Sequence, residues 1–215
     1  MNKTVIGFAL SLVFAASAQA NTLETEYGLS VLAINGVAVN SDDAIADNTY
    51  DIVEGKNQVV IRGEKMLRRG TKTELFSTRP FIMSFDTKDD VMIRFPEAAS
   101  NYRAAETEFR NDEPKWSVMV GGTALSYQAE VLPGGGGFIP YSDIEELVAN
   151  YNQDKGIALE QGKPTDMTKA AVVVNDAGEV TITGDSLAQL KLWYTKASAK
   201  EKKAFKIWMA EQEFK

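Results

Sequence analysis

The side chains that carry most acid–base, nucleophilic and metal chemistry are missing from this sequence, which has no His and no Cys in 215 residues. Without imidazole there is no ordinary general base near neutral pH and no Ser-His-Asp or Cys-His arrangement. Without imidazole or thiolate there is no usual zinc, copper or haem ligation, so no cofactor is expected. Gly-x-Ser-x-Gly and Ser-x-x-Lys are absent as well, which removes the familiar serine nucleophiles. What survives is a carboxylate-only site, in which two acids face each other across a scissile bond as in glycosidases. Glu106, Glu108, Glu130 and Asp143 are available, but no spacing selects a pair, and the expectation is a protein that is not an enzyme.

Three further stretches invite a ligand. Asp42, Asp43 and Asp47 offer oxygen ligands of the type Ca²⁺ takes, yet their spacing fits no EF-hand loop and no bidentate Glu closes it, so a solvated loop is expected. The glycines at 134–137 are followed by Phe138-Ile139-Pro140 and lack the Gly-Lys-Ser/Thr of a phosphate loop, which leaves a flexible connector. Basic residues fall in two groups: Lys65, Arg68, Arg69 and Lys72, read as a loop punctuated by Gly63 and Gly70, and a C-terminal set that includes Lys191, Lys200 and Lys203. Each group is a candidate surface for an acidic protein or an anionic membrane face, set against the plainer reading of solvated charge.

The elements that must position these residues begin with a hairpin. Leu29–Ile34 and Val37–Val39 flank Asn35-Gly36, the strongest short signal for a type I′ turn, and Leu23 to Tyr27 should lead into the same strand. Tyr50–Val53 and Gln58–Ile61 around Glu54–Asn57 read as strand, turn, strand. Phe81, Met83 and Phe85 alternate, as do Val91, Ile93 and Phe95, which predicts a second hairpin with core-facing aromatics. Glu97 to Lys115 reads as a loop with one helical turn, and Trp116 to Leu132 returns to strand around Gly121-Gly122.

Ser142-Asp143-Ile144-Glu145 has the form of a capping box for a helix carrying Ile144, Leu147, Val148 and Tyr151 on one side and stopping at Gly156. Residues 157–170 are weakly patterned. A last hairpin is expected over 171–183, then two helices, one capped by Asp185 or Ser186 and one by the box Ser198-Ala199-Lys200-Glu201. The pair has the outline of a DNA-binding helix-turn-helix, a reading that the signal peptide expected over residues 1–20 removes, and its lysines read most simply as the polar side of a docked helical hairpin. The fold class is α+β, an antiparallel β-sandwich-like N-terminal part at 21–132 and a mixed part at 133–215 ending in a helical pair, which can pack with the first as one domain.

Lys3, an uncharged run from Val5 to Phe14, and small residues at Ala18 and Ala20 form a secretory signal peptide over 1–20, with cleavage expected after Ala20. The apolar run is shorter than a spanning helix needs. Removing it takes away Lys3 alone, leaving 22 basic against 30 acidic side chains, a net charge of −8. An acidic chain is a poor partner for nucleic acid. A cysteine-free exported chain must rely on its hydrophobic core.

Several stretches together resemble the YccT-like family of exported bacterial proteins: the leader, Leu29 to Val39, Gly55 to Lys65, Arg79-Pro80-Phe81-Ile82-Met83-Ser84-Phe85, and Leu190 to Tyr194 with Phe205 and Trp208. That family includes an inhibitor of curli synthesis. The resemblance implies a periplasmic, non-enzymatic binding protein that restrains polymerisation of amyloid or matrix subunits, with a fibre subunit as partner. It implies no catalytic residues. The alternative is an envelope accessory domain that binds carbohydrate or another envelope component through Trp116, Tyr141 and Tyr151.

Overall fold

The computed structural model describes residues 21–160, 163–166, 173–174, 180–181, 190–191, 193–194 and 196–213. In chain order its first strands are β1 (Asn21–Thr25), β2 (Leu29–Ile34), β3 (Val37–Ala38), β4 (Thr49–Ile52) and β5 (Gly55–Arg69). They are followed by β6 (Lys72–Ser77), β7 (Phe81–Thr87) and β8 (Val91–Arg94). Helix α1 (Tyr102–Glu108) precedes β9 (Ser117–Val120), β10 (Thr123–Ala124) and β11 (Tyr127–Val131), and helix α2 (Ile144–Lys155) follows. Two short hairpins, β12 (Ile157–Glu160) with β13 (Lys163–Asp166) and β14 (Val173–Val174) with β15 (Val180–Thr181), lead towards helix α3 (Ala199–Glu213).

Two sheets face each other. One has the order β10-β9-β8-β1-β4; the other runs β11-β7-β5-β2-β3, with β6 on the far half of β5. The pairings are antiparallel except β1 with β8, which is parallel. Leu23, Val91, Ile93 and Val118 from the first sheet meet Val31, Val59, Ile61, Phe81 and Met83 from the second in one buried cluster. The α+β, sandwich-like class read from the sequence therefore stands, and the alternating aromatics of β7 and β8 are core, with Phe81 1% and Phe95 4% exposed.

The expected strand pairings differ in a consistent way. Leu23 to Tyr27 does not continue into β2: the chain reverses at Glu26–Gly28, the Leu29 amide donating to the Glu26 carbonyl, and β1 and β2 lie in different sheets. β4 with β5, and β7 with β8, are likewise crossings between sheets and not hairpins. Asn35-Gly36 does form the tight turn, both residues at positive φ, 48° and 86°, as type I′ requires.

A third layer lies on the outer face of the second sheet. Val148 of α2 packs against Ala33, Val60, Ile82 and Leu132. β5 is thus covered on both sides, which is why Asn57, Gln58, Val59, Val60 and Ile61 are all buried and why that run lacks alternation. A bulge between Val31 and Ala33 turns Ala33 towards the helix while Val31 faces the sandwich. Gln58 and Asn152 exchange amide hydrogen bonds across this layer, 2.7 and 3.0 Å, so neither buried amide is left unpaired.

The helix cap shifts by one residue from the expected box. Asp143, not Ser142, caps α2 by accepting from the Glu146 amide, and Glu145 reaches out to accept from the Ala38 amide at 2.8 Å. Gly156 ends the helix with φ +68°, as read. α1 is two turns long where one was expected, and the weakly patterned 157–170 contains the β12–β13 hairpin. At Ser198 the second capping box forms as predicted, Glu201 accepting from the Ser198 amide and the Ser198 hydroxyl receiving the Glu201 amide. Asp185 and Ser186 lie outside the described residues.

Candidate functional site

The first basic group lies on a two-stranded ribbon, not in a loop. β5 leaves the sandwich at Gly63, where a side chain would run into the Phe95 ring, and continues as Glu64–Arg69 paired with Lys72–Ser77. The Gly63 amide and carbonyl are both held by Thr78, at 2.9 Å each. Leu67 and Phe76 point into the core; Met66 and Leu75, paired across the ribbon, point out and are 60% and 57% exposed. The outer edge of β6 has no strand partner among the described residues.

At the tip, Gly70 takes φ +62° and the cations gather. Arg69 stacks over the Tyr102 ring at 4.4 Å and binds Glu74 at 2.9 Å, while the Arg68 Nε donates to the Gly70 carbonyl at 3.0 Å. Arg68, Arg69, Asn101, Arg103 and Glu106 line a shallow concavity there, and Lys72 is exposed beside the turn. Arg103, brought in by α1, was not singled out from sequence: it sits between apparently unpatterned residues with no period to mark it. Guanidinium groups held by ring stacking and carboxylates are suited to carboxylate recognition.

Lys65 stands apart from this cluster. Its Nζ binds Glu26 at 2.7 Å and lies 5.3 Å from the Phe95 ring centre. Burial alone would raise the Glu26 carboxyl, but the hydrogen bond from Lys65, the Phe95 amide and the charges of Lys65 and Arg94 outweigh it and hold that carboxyl below its ordinary 4.5. Lys65 is therefore engaged at the ribbon's base. Lys191, Lys200 and Lys203 are exposed on the C-terminal helical segment, a different element.

Trp116, Tyr141 and Tyr151, the stacking residues of the alternative reading, do not form an exposed row. Trp116 is 4% exposed and packs edge-to-face with Phe81, Phe95 and Phe109. Tyr141 is half-buried and donates to the Leu132 carbonyl. Tyr151 is half-buried too, its phenol pushed up to about 12 by burial and by the charge and hydrogen bond of Glu130.

The acids considered for hydrolysis each hold a local contact. Glu130 binds Lys155 at 2.6 Å, Glu108 accepts from the Lys115 amide at 2.7 Å, Glu106 lies 4.0 Å from Arg69, and Asp143 caps α2. Asp42 and Asp47 are exposed, Asp43 accepts from the Asn40 amide, and among the described residues no group of three acids could hold a metal ion.

Comparison with known proteins gives a family whose description names no activity. Residues 22–208 match the model of a family described as an uncharacterized protein conserved in bacteria (DUF2057). The chain is 32% identical over 214 residues to a UPF0319 protein of Vibrio vulnificus (strain YJ016), covering 97% of this chain and 99% of that one. It is 26% identical over 210 residues to a UPF0319 protein of Histophilus somni (strain 129Pt), covering 94% of each. No solved structure gives a significant match.

Proposed function

The chain belongs to the DUF2057 family of bacterial proteins, represented among its relatives by the UPF0319 proteins, and on that premise we propose that it is an exported, non-enzymatic binding protein that restrains polymerisation of amyloid subunits of the curli type. The observation that carries this reading is the β5–β6 ribbon, whose outer edge has no strand partner among the described residues and lies beside a cluster of arginines. An unpaired edge can take up an extended segment by main-chain hydrogen bonding. Leu75 is the side chain such a strand would cover, and Arg68 and Arg103 would draw in an acidic segment and set its register.

Export is supported by the composition of residues 1–20. The absence of His and Cys from the sequence, and the local contacts of the acids named above, support action by surface and not by bond-making. The resemblance to the YccT-like family supplies the fibre subunit as partner.

The test is a polymerisation assay. Added at an equimolar ratio to a fibre-forming subunit, the protein is expected to lengthen the lag before thioflavin fluorescence rises. The double variant L75D/R68E, altered only at exposed positions, is expected to lose that effect while keeping its melting temperature. An unchanged lag with the unaltered protein would overturn the proposal.

A further inference from the structure

The C-terminal helical segment carries a second surface whose chemistry differs from that of the ribbon. Residues 190, 191, 193, 194 and 196 are helical and α3 follows after the Ser198 cap. Across the groove between them Tyr194 meets Phe205 at 6.2 Å and Phe205 stacks on Trp208 at 5.7 Å. These rings do not close into a core. Trp193 is 67% exposed, Leu190 54% and Trp208 53%. The lysines face outward, and apolar groups do so as well. One tie to the body is the Gln153 side chain, which donates to the Lys196 and Ala197 carbonyls.

Charge identifies what this surface fits. Residues 190–213 contain six lysines and three glutamates, in a chain whose net charge is −7. Lys200, Lys203 and Lys206 are exposed on α3, and Lys202 lies over the Tyr194 ring at 5.6 Å. Of the glutamates, Glu201 is drawn back onto Ser198 as the helix cap. Tryptophan and tyrosine with an apolar body and a polar tip, flanked by long lysine stems, match a lipid interface, where apolar chains give way to headgroups within a few ångströms. No helix among the described residues is long and apolar enough to cross a membrane, so the segment would lie on the surface.

We infer that the α3 segment is a docking surface for an anionic lipid membrane, seated by Trp193 and Trp208 and held by Lys200, Lys203 and Lys206. This inference stands on a different element from the polymerisation reading and survives or fails independently of it.

The test is association of protein purified from cells expressing the complete sequence with vesicles of phosphatidylcholine containing about one-third phosphatidylglycerol, against vesicles of phosphatidylcholine alone. Sedimentation with the anionic vesicles only, with a blue shift of tryptophan emission, is the expected result. K200E/K203E is expected to weaken it by about twentyfold or more, and W193A/W208A to weaken it and abolish the blue shift. Failure to bind anionic vesicles would overturn the inference. So would undiminished binding by either double variant, equal binding to soluble polyglutamate, or a concentration-dependent dimer that accounts for the emission shift without lipid.

Discussion

The two aromatic groups of this protein are built from the same kinds of residue and have opposite fates. Around Trp116, the rings of Phe76, Phe81, Phe95 and Phe109 form a network of edge-to-face and tilted pairs, 5.3–6.3 Å between ring centres, in or against the buried core. Around Trp208, the stack ends at Tyr194 and the indole is half open to solvent. The cations differ in parallel: Lys65 is tied to Glu26 against a ring, whereas Lys200 and Lys203 stand out from α3. Long-range strand pairing supplies covering layers that a short helical pair lacks, so identical side chains serve cohesion in one place and surface in the other.

Substitution of the two tryptophans tests this contrast most severely. Trp116→Ala should destabilise the fold by roughly 3–5 kcal/mol, the usual penalty for removing a core aromatic. Trp208→Ala should lie within about 0.5 kcal/mol of the unaltered protein. Thermal denaturation of both distinguishes them, and similar losses would dissolve the comparison. A smaller effect is expected at the α2 layer: Gln58→Leu leaves the Asn152 amide buried without its partner and should cost about 1–3 kcal/mol. The double change Q58L/N152L should recover much of that loss in urea titrations; additive losses would mean that the amide pair is not the linking element.

The smallest of the core-side effects concerns Glu26. Because its folded carboxyl is held below 4.5, its contribution to stability is fully present above the unfolded value and disappears as pH falls through the folded one. E26Q should therefore lower stability slightly at pH 7, by under about 1 kcal/mol for a pair one-third exposed, and the gap should narrow as pH falls below 4.5. A gap that did not narrow in acid would mean that packing, not charge, holds Lys65.

Much of the fold was legible in the sequence because strand alternation and helix caps are local signals. Phe81-Met83-Phe85 and Val91-Ile93-Phe95 announced their buried faces, and Asn35-Gly36 and Ser198–Glu201 formed as read. Sheet membership was not legible. Alternation says which face of a strand is apolar but not which neighbour covers it, and here β1 to β2, β4 to β5 and β7 to β8 each cross the sandwich instead of turning back. The ribbon was missed for a related reason: Lys65 to Lys72 is polar on one face and only Leu67 is buried there, so its strand character depends on pairing with β6. Arg68 and Arg69 were found from composition, while Arg103 needed α1 to bring it alongside.

The position of β1 has a consequence for how the molecule comes into being. The first residues described, Asn21–Thr25, are not a border of their sheet but its interior, gripped by β4 on one side and β8 on the other. Loss of these five residues would not fray an edge; it would remove the strand that joins β4 to β8. One face of the sandwich thus rests on a five-residue strand that pairs on one side with β4 and on the other with the sequence-distant β8.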